Sequence, residues 1–287
     1  LPDEVIVVDG QSKDKTVINA QKFPVKILYE HYHSRAGACK IGVENASGEF
    51  IAFTDADCLP QNDWLENLLK EFDSKTIGVG GCIKNIGKGL WERSINLVMG
   101  TFLGSANSIQ GRFFEDKRYV KSISGCNCMY RKEDILKIGS FDVALHTAED
   151  TNLNSKLLKL GKLLYTPNAI IMHNHQRGLR SFAKRMYQYG YGRARARLLD
   201  LQVIPPLLAL LLIILLFYNY YIFLAVMGIY LLGSLYIGIR FAKTEKNPRY
   251  MFSIPMVYFV EHSMYILGFW HGIFIYLCSQ FNYLTAR

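Results

Sequence analysis

The sequence is short of the residues that staple small domains. It has six cysteines in 287 residues (Cys39, Cys58, Cys82, Cys126, Cys128 and Cys278), with no CxxC pair and no histidine cluster at zinc-finger spacing. Neither a disulfide frame nor a structural zinc is indicated, and a reducing, cytoplasmic setting fits. A cleavable signal peptide is missing from the start, and Leu1-Pro2 leads straight into an apolar run. There is no internal repeat and no low-complexity linker, which excludes solenoids and disordered arrays. No known aromatic-basic recognition motif for nucleic acid appears, so the net charge of +9 does not point to nucleic acid.

Charge itself is absent from one long stretch. Leu201 to Ile239 carries no formal charge. At about 39 residues it exceeds one membrane span of about 20. Split at Asn219-Tyr220-Tyr221, it gives two helices and a tight hairpin. A buried hairpin of a soluble protein is the competing reading, but Leu-Leu-Ala-Leu-Leu-Leu-Ile-Ile-Leu-Leu-Phe offers no polar face. A further apolar run, Phe252 to Cys278, is interrupted by Glu261, His262 and His271. Such groups are costly in lipid, so they are expected to face protein or a substrate path. Basic residues precede the first span (Arg177, Arg180, Lys184, Arg185, Arg193, Arg195, Arg197) and follow the second (Arg240, Lys243, Lys246, Arg249). Both groups are then cytoplasmic, as a two-span hairpin requires, and anionic lipid would retain them.

The first 200 residues alternate strand-like and helix-like segments. Strands are expected at 5–8, 25–29, 50–54, 77–83, 120–124 and 163–171. A helix is expected to open at 12–16, and further helices near 36–46, 64–72, 90–103, 131–138, 151–160 and 179–199. This alternation predicts an α/β fold with a mostly parallel sheet flanked by helices. Ligands of such sheets gather beyond the carboxyl ends of the strands, where Asp9 and Asp55-Ala56-Asp57 lie.

Asp55 and Asp57 flank one small residue directly after Phe50-Ile51-Ala52-Phe53-Thr54. Two carboxylates there repel unless a cation or a ligand hydroxyl separates them. Hard oxygen ligands suit Mn2+ or Mg2+, which can bridge to a diphosphate. An isolated DxD is commonly a solvated turn; its place after an apolar strand, in step with Asp9, favours the site. Asp150, in Glu149-Asp150 before a helix, reads either as an N-cap or as a general base for an acceptor hydroxyl. Gly125-Cys126-Asn127 offers backbone amides and an amide side chain in a turn. Lys184-Arg185-Met186-Tyr187-Gln188-Tyr189-Gly190-Tyr191-Gly192-Arg193 interleaves cations with aromatics. Its arginines suit a leaving diphosphate, or else a helix on a membrane surface. His173 and His175, at the end of the last strand, offer a further metal ligand or a structural role.

Taken in order, these stretches resemble family 2 glycosyltransferases of the GT-A fold. The resemblance runs through Val7-Val8-Asp9-Gly10, Gly48 to Asp57, Ser124 to Lys132, Gly139-Ser140-Phe141-Asp142 and Ala148-Glu149-Asp150-Thr151. The trailing spans look most like enzymes that extend lipid-linked saccharides, of the succinoglycan type. The resemblance implies an inverting transfer with Asp150 as catalytic base. Asp9 would contact the nucleotide base, Asp55 the ribose or metal, and Asp57 the metal, with His173 a further candidate ligand. Gly125, Asn127 and Glu149 would shape the donor or acceptor pocket, with Arg185, Gln188 and Arg193 near a phosphate. The donor would be a UDP- or GDP-sugar. The acceptor would be a lipid-linked or membrane-held saccharide of polysaccharide or glycan biosynthesis, or bare polyprenyl phosphate. A nucleotide-sugar-binding assembly subunit is the non-enzymatic alternative.

The sequence departs from the family in three places. The family's opening strand of Ile-Ile-Pro-x-Tyr-Asn type is missing, Gly10 replaces a second aspartate, and no Gln-x-x-Arg-Trp signature follows Gln188. The last departure favours addition of one sugar per encounter. The expected organisation is a catalytic domain over 1–200, without that first strand, and a membrane domain of about three hydrophobic helices over 201–287. The catalytic domain is expected on the cytoplasmic face of a multi-pass cell-membrane protein.

Overall fold

The strands and helices follow in the order β1 (Ile6–Asp9), α1 (Thr16–Ala20), β2 (Lys26–Tyr29), α2 (Arg35–Asn45), β3 (Phe50–Thr54), β4 (Cys58–Pro60), α3 (Trp64–Leu69) and β5 (Thr76–Ile86). Then come α4 (Leu90–Met99), α5 (Phe102–Ser105), β6 (Arg118–Val120), β7 (Asn127–Arg131), α6 (Lys132–Lys137), α7 (Glu149–Leu157) and β8 (Lys162–Asn174). The chain ends with α8 (Leu179–Arg195), α9 (Ile204–Tyr218), α10 (Tyr220–Thr244) and α11 (Tyr250–Thr285). This computed structural model describes residues 1–105, 113–145, 147–174, 178–198 and 200–285. It divides into two compact units, one of residues 1–84 and 113–173, the other of 85–112 and 174–287.

In the first unit, β1 and β2 pair in parallel, with Asp9 opposite Tyr29. The larger sheet has the order β3-β7-β5-β8-β4, with β6 also on β8. The expected parallel pairing holds for β1–β2, but the larger sheet pairs antiparallel at β3–β7, β5–β7, β4–β8 and β6–β8. The sheet system is therefore mixed. Alternating strands and helices fix the layers, but strand direction depends on which strand inserts beside which, and β7 enters between β3 and β5. Trp64, Leu68, Val79, Met129, Ala169 and Ile171 fill one core against this sheet. Leu68, Val79, Ala169 and Ile171 are wholly buried there. Truncating a residue such as Leu68 would cost about 2–5 kcal/mol.

The turn segments are locally encoded. Ser34 caps α2, its Oγ accepting from the Gly37 N–H at 3.0 Å. Gly139 takes φ +83° after α6, the left-handed stop that glycine adopts without strain.

The second unit is helical. Ile95, Val98, Phe182, Met186, Tyr250, Ile254, Val257 and Tyr258 form one buried cluster from α4, α8 and α11. Where α8 meets α11 the backbones touch. A Cβ on Gly190 would lie 2.1 Å from the Tyr265 carbonyl oxygen, and one on Gly268 would lie 2.0 Å from that of Tyr187. Gly272 faces Tyr191 in the same way at 2.7 Å. Small residues four apart, as at Gly268 and Gly272, let helices approach to backbone contact. The Tyr-Gly-Tyr-Gly stretch is thus part of a helix, and its Gly190 serves packing.

α9 and α10 are separated by Asn219 alone, whose Oδ1 accepts from the Ile222 N–H at 3.2 Å. Residues 201–218 and 220–244 are long and apolar enough to cross a membrane, with mean hydropathy of 2.5 and 2.2. Only 11% of each apolar window is buried, so these are not core helices of an ordinary soluble domain. α11 is a single helix over the third apolar run, with Pro255 inside it and Glu261 buried.

Candidate active site

The apolar run of β3 ends at Thr54, opposite Asn127 of β7, and the chain turns at once. The Cys58 N–H closes that turn on the Asp55 carbonyl oxygen at 3.0 Å, leaving Asp55 and Asp57 projecting from it. Both side chains are partly open to solvent, at 35% and 48%. Their charges go to different partners. Arg35 Nη2 donates to Asp55 Oδ1 at 2.8 Å, whereas His173 Nε2 lies 3.0 Å from Asp57 Oδ1. His173 is held there by β8, where it pairs across from Cys58 of β4. His175 lies outside the described residues.

Arg35 also donates through Nη1 to Glu149 Oε1 at 2.7 Å. It therefore links the turn after β3 to the start of α7. Burial opposes the charge there, yet Cys39, Asp55 and Glu149 around it hold the guanidinium's pKa above its usual value. Glu149 is buried at the first position of α7. Burial and the neighbouring Asp150 charge raise its carboxyl above the usual range, with Arg35 opposing the rise. Gly125 makes room for this bridge, since a Cβ there would lie 2.8 Å from Arg35 Nη1. The Gly125 N–H in turn donates to Asp150 Oδ2 at 3.2 Å. Ala148, at φ +63°, is the N-cap of α7, so Asp150 is not the cap. Its Oδ1 accepts from the Thr151 N–H at 2.6 Å. Asp55, Asp57, Gly125, Glu149, Asp150 and His173 are in this way tied into one contact network around Arg35 and the turn after β3.

Asp9 ends β1 and is buried. Its Oδ2 accepts from the Ser12 N–H at 2.9 Å, and hydrogen bonds from Ser12 hold its pKa below the usual carboxylate range.

Two expected ligand residues are committed elsewhere. Asn127 is wholly buried: its Oδ1 accepts from Trp64 Nε1 at 2.7 Å, and its Nδ2 donates to the carbonyls of Cys82 and Ala169 at 2.8 and 3.0 Å. It clamps the sheet instead of facing a ligand, because a buried amide must satisfy its polar atoms internally. Arg193, in the helical unit, is buried and ion-paired to Asp200. Its charge already has a counter-ion, which removes the reason to place it at a phosphate. Arg185 stacks on the Tyr189 ring at 5.5 Å, and Gln188 is half-buried on the same helix.

Sequence reasoning passed over Arg35. The available signal was electrostatic: a cation at the first turn of a helix opposes the helix dipole, so an arginine directly after an N-cap serine calls for anionic partners. It also passed over the meeting of Cys58, Cys126 and His173. Their ligand atoms lie within 4.8 Å of one another, although the residues are far apart in sequence.

Residues 1–139 match the family described as Glycosyl transferase family 2. Residues 1–139 therefore form a family 2 glycosyltransferase domain. Over 293 residues it is 25% identical to the dolichyl N-acetyl-alpha-D-glucosaminyl phosphate 3-beta-D-2,3-diacetamido-2,3-dideoxy-beta-D-glucuronosyltransferase of Methanococcus voltae, covering 94% of this chain and 87% of that one. It is 26% identical to the glycosyltransferase AglE of Haloferax volcanii, over 69% of this chain and 64% of AglE. A mannosyltransferase from Pyrobaculum calidifontis, solved with GDP-Man and Mn2+, superposes with a TM-score of 0.61. That structure is 17% identical and is matched over 94% of this chain and 77% of its own length. The fold of this glycosyltransferase is accordingly GT-A, with its carboxylates on the turn after β3 and at the start of α7.

Proposed function

We propose that this glycosyltransferase moves a sugar, with inversion, from a nucleotide-diphosphate donor to a membrane-held acceptor, a polyprenyl-linked saccharide of glycan biosynthesis. The observation that carries the reading is the Arg35 bridge. It brings Asp55 of the DxD turn and Glu149, the neighbour of Asp150, to one guanidinium. A base for the acceptor and carboxylates for a cation are then neighbours.

The residues fit a hard divalent cation. Asp57 Oδ1 and His173 Nε2 are 3.0 Å apart, the separation of adjacent ligands around an ion at about 2.1 Å. Asp55 adds a second carboxylate. Manganese or magnesium held there would supply positive charge to the leaving diphosphate. Asp9 would take the nucleotide base, and the Gly125 amide keeps Asp150 Oδ2 in place. Asp150 accepts the proton of the acceptor hydroxyl as its oxygen bonds to the anomeric carbon and the bond to the donor phosphate breaks. Arg185 and Gln188 of α8 are proposed to meet acceptor or donor phosphate.

The M. voltae relative is named for a dolichyl-phosphate-linked acceptor. Two helices long and apolar enough to span would hold this chain where such a substrate resides. With both basic flanks inside, the catalytic domain would face the cytoplasm.

The test is sugar transfer in isolated membranes, using UDP- and GDP-sugars with manganese, for the chain and its Asp150→Asn variant. Transfer into the lipid fraction that disappears in the variant supports the reading. Equal transfer by both removes Asp150 from the mechanism.

A further inference from the structure

We propose that Cys58, Cys126 and His173 form a zinc site, closed by Asp57 as its fourth ligand. Three chain segments converge to build it. Cys58 opens β4 and stands opposite His173 on β8. Cys126 directly precedes β7, whose Asn127 stands opposite Thr54 at the end of β3. The two sulfurs and an imidazole nitrogen lie within 4.8 Å of one another, and all three residues are buried. Asp57 Oδ1 faces the same group, 3.0 Å from His173 Nε2 and 3.9 Å from Cys58 Sγ.

Those spacings are close to what tetrahedral zinc requires. With zinc–sulfur bonds of about 2.3 Å and zinc–nitrogen bonds of about 2.0 Å, adjacent ligand atoms sit about 3.3–3.8 Å apart. Side-chain shifts of an ångström or less would close the remainder. Two thiolates, an imidazole and a carboxylate are a donor set that zinc takes in preference to manganese or magnesium. The plain alternative is that the cysteines merely pack as small apolar groups. That alternative does not account for both thiols meeting an imidazole beside a carboxylate that is half open to solvent.

The site shares Asp57 and His173 with the cation position proposed above. Zinc there would remove two donors from that position and so block the manganese-dependent reaction. This consequence rests on the manganese reading, whereas the zinc site itself does not.

The experiment uses the full chain, purified in detergent, stripped with a chelator and titrated with cobalt and then zinc. Expected is a near-ultraviolet thiolate-to-cobalt charge-transfer band with the visible bands of tetrahedral cobalt, both displaced by one zinc per chain. Cys126→Ser should reduce that band and weaken zinc binding about tenfold or more. A wild-type cobalt spectrum without the thiolate band overturns the proposal, and this measurement needs no variant to fold. So does a band unchanged in both Cys126→Ser and Cys58→Ser. In a second arm, zinc should abolish manganese-dependent UDP or GDP binding by the wild type and spare it in Cys126→Ser. Nucleotide binding that needs no manganese would count against the manganese reading alone, and the cobalt spectrum would still decide the zinc site.

Discussion

Arg35 and Glu149, 114 positions apart in sequence, share a hydrogen-bonded ion pair of 2.7 Å at the junction of the DxD turn and α7. Because Glu149 is buried, it depends on this partner more than the half-exposed Asp55 does. Arg35→Ala should therefore leave a buried carboxylate without its cation and lower stability by about 1–3 kcal/mol. Thermal unfolding in detergent would measure the loss. Combining Arg35→Ala with Glu149→Gln should recover part of it, and strictly additive losses would show that the pair is not coupled.

Asp150 is predicted to act in the chemical step alone. Asp150→Asn keeps one acceptor oxygen, enough for either the Gly125 or the Thr151 amide, so the loop should stand with one of these two hydrogen bonds lost. Transfer should fall by about 10²–10⁴-fold, the usual worth of a positioned general base. Nucleotide affinity, followed by titration calorimetry, should change little. A matching fall in affinity would instead make Asp150 a binding group.

Acid should weaken the fold partly through Asp9. Its pKa is lowered in the native state by hydrogen bonds from Ser12, so the unfolded chain binds a proton more readily. The resulting stabilisation is present above the ordinary aspartate pKa and is lost as pH falls through the depressed native value. Asp9→Asn keeps an oxygen for the Ser12 N–H but removes the charge. Wild type and variant should differ in melting temperature near neutrality and converge in acid. A difference that stays constant with pH would contradict this assignment.

Removing divalent metal should abolish nucleotide-sugar binding without unfolding the first unit. Arg35 and His173 already partner Asp55 and Asp57, so no bare pair of carboxylates is exposed by chelation. Circular dichroism should be unchanged by chelator while nucleotide binding disappears. Loss of secondary structure on chelation would mean that the cation also holds the fold.

Glycines in the helical unit should separate into two classes. Gly268→Ala puts a methyl within 2.0 Å of the Tyr187 carbonyl oxygen, an overpacking that costs about 1–3 kcal/mol. A Cβ at Gly233 of α10 meets nothing within 4 Å, so Gly233→Ala should be neutral or stabilising by up to about 1 kcal/mol, as expected for a helix interior. Melting in detergent would rank the two, and equal effects would remove the backbone contact as the cause.

Much of the site could be read before the fold was known, wherever the signal was local. An apolar strand followed by Asp-Ala-Asp marks its own turn, and Asn219 marks its own hairpin. The strand expected at 120–124 gives way to β6 (Arg118–Val120) and β7 (Asn127–Arg131) for an equally local reason. Cys126-Asn127-Cys128 has the polarity of a turn, yet Asn127 is the first residue of a buried strand. Only Trp64 and the carbonyls of Cys82 and Ala169, none of them adjacent in sequence, make that burial affordable. The partners of Arg35 and the Cys58–Cys126–His173 group are hidden by the same kind of distance. The association of α4 and α8 with α10 and α11 likewise rests on side chains meeting across the chain. Nothing in the local pattern of α8 distinguishes a catalytic-domain helix from one that joins the hydrophobic hairpin.

The contact of α8 with α11 at Gly190, Gly268 and Gly272 has a mechanical meaning. Helices that meet through long side chains can slide, because rotamers yield before backbones do. Here carbonyl oxygens abut the partner's glycines, leaving little side chain to absorb shear. α8 and α11 should therefore move as one strut, and a displacement imposed on α11 would be delivered to Arg185 and Gln188 of α8 without attenuation.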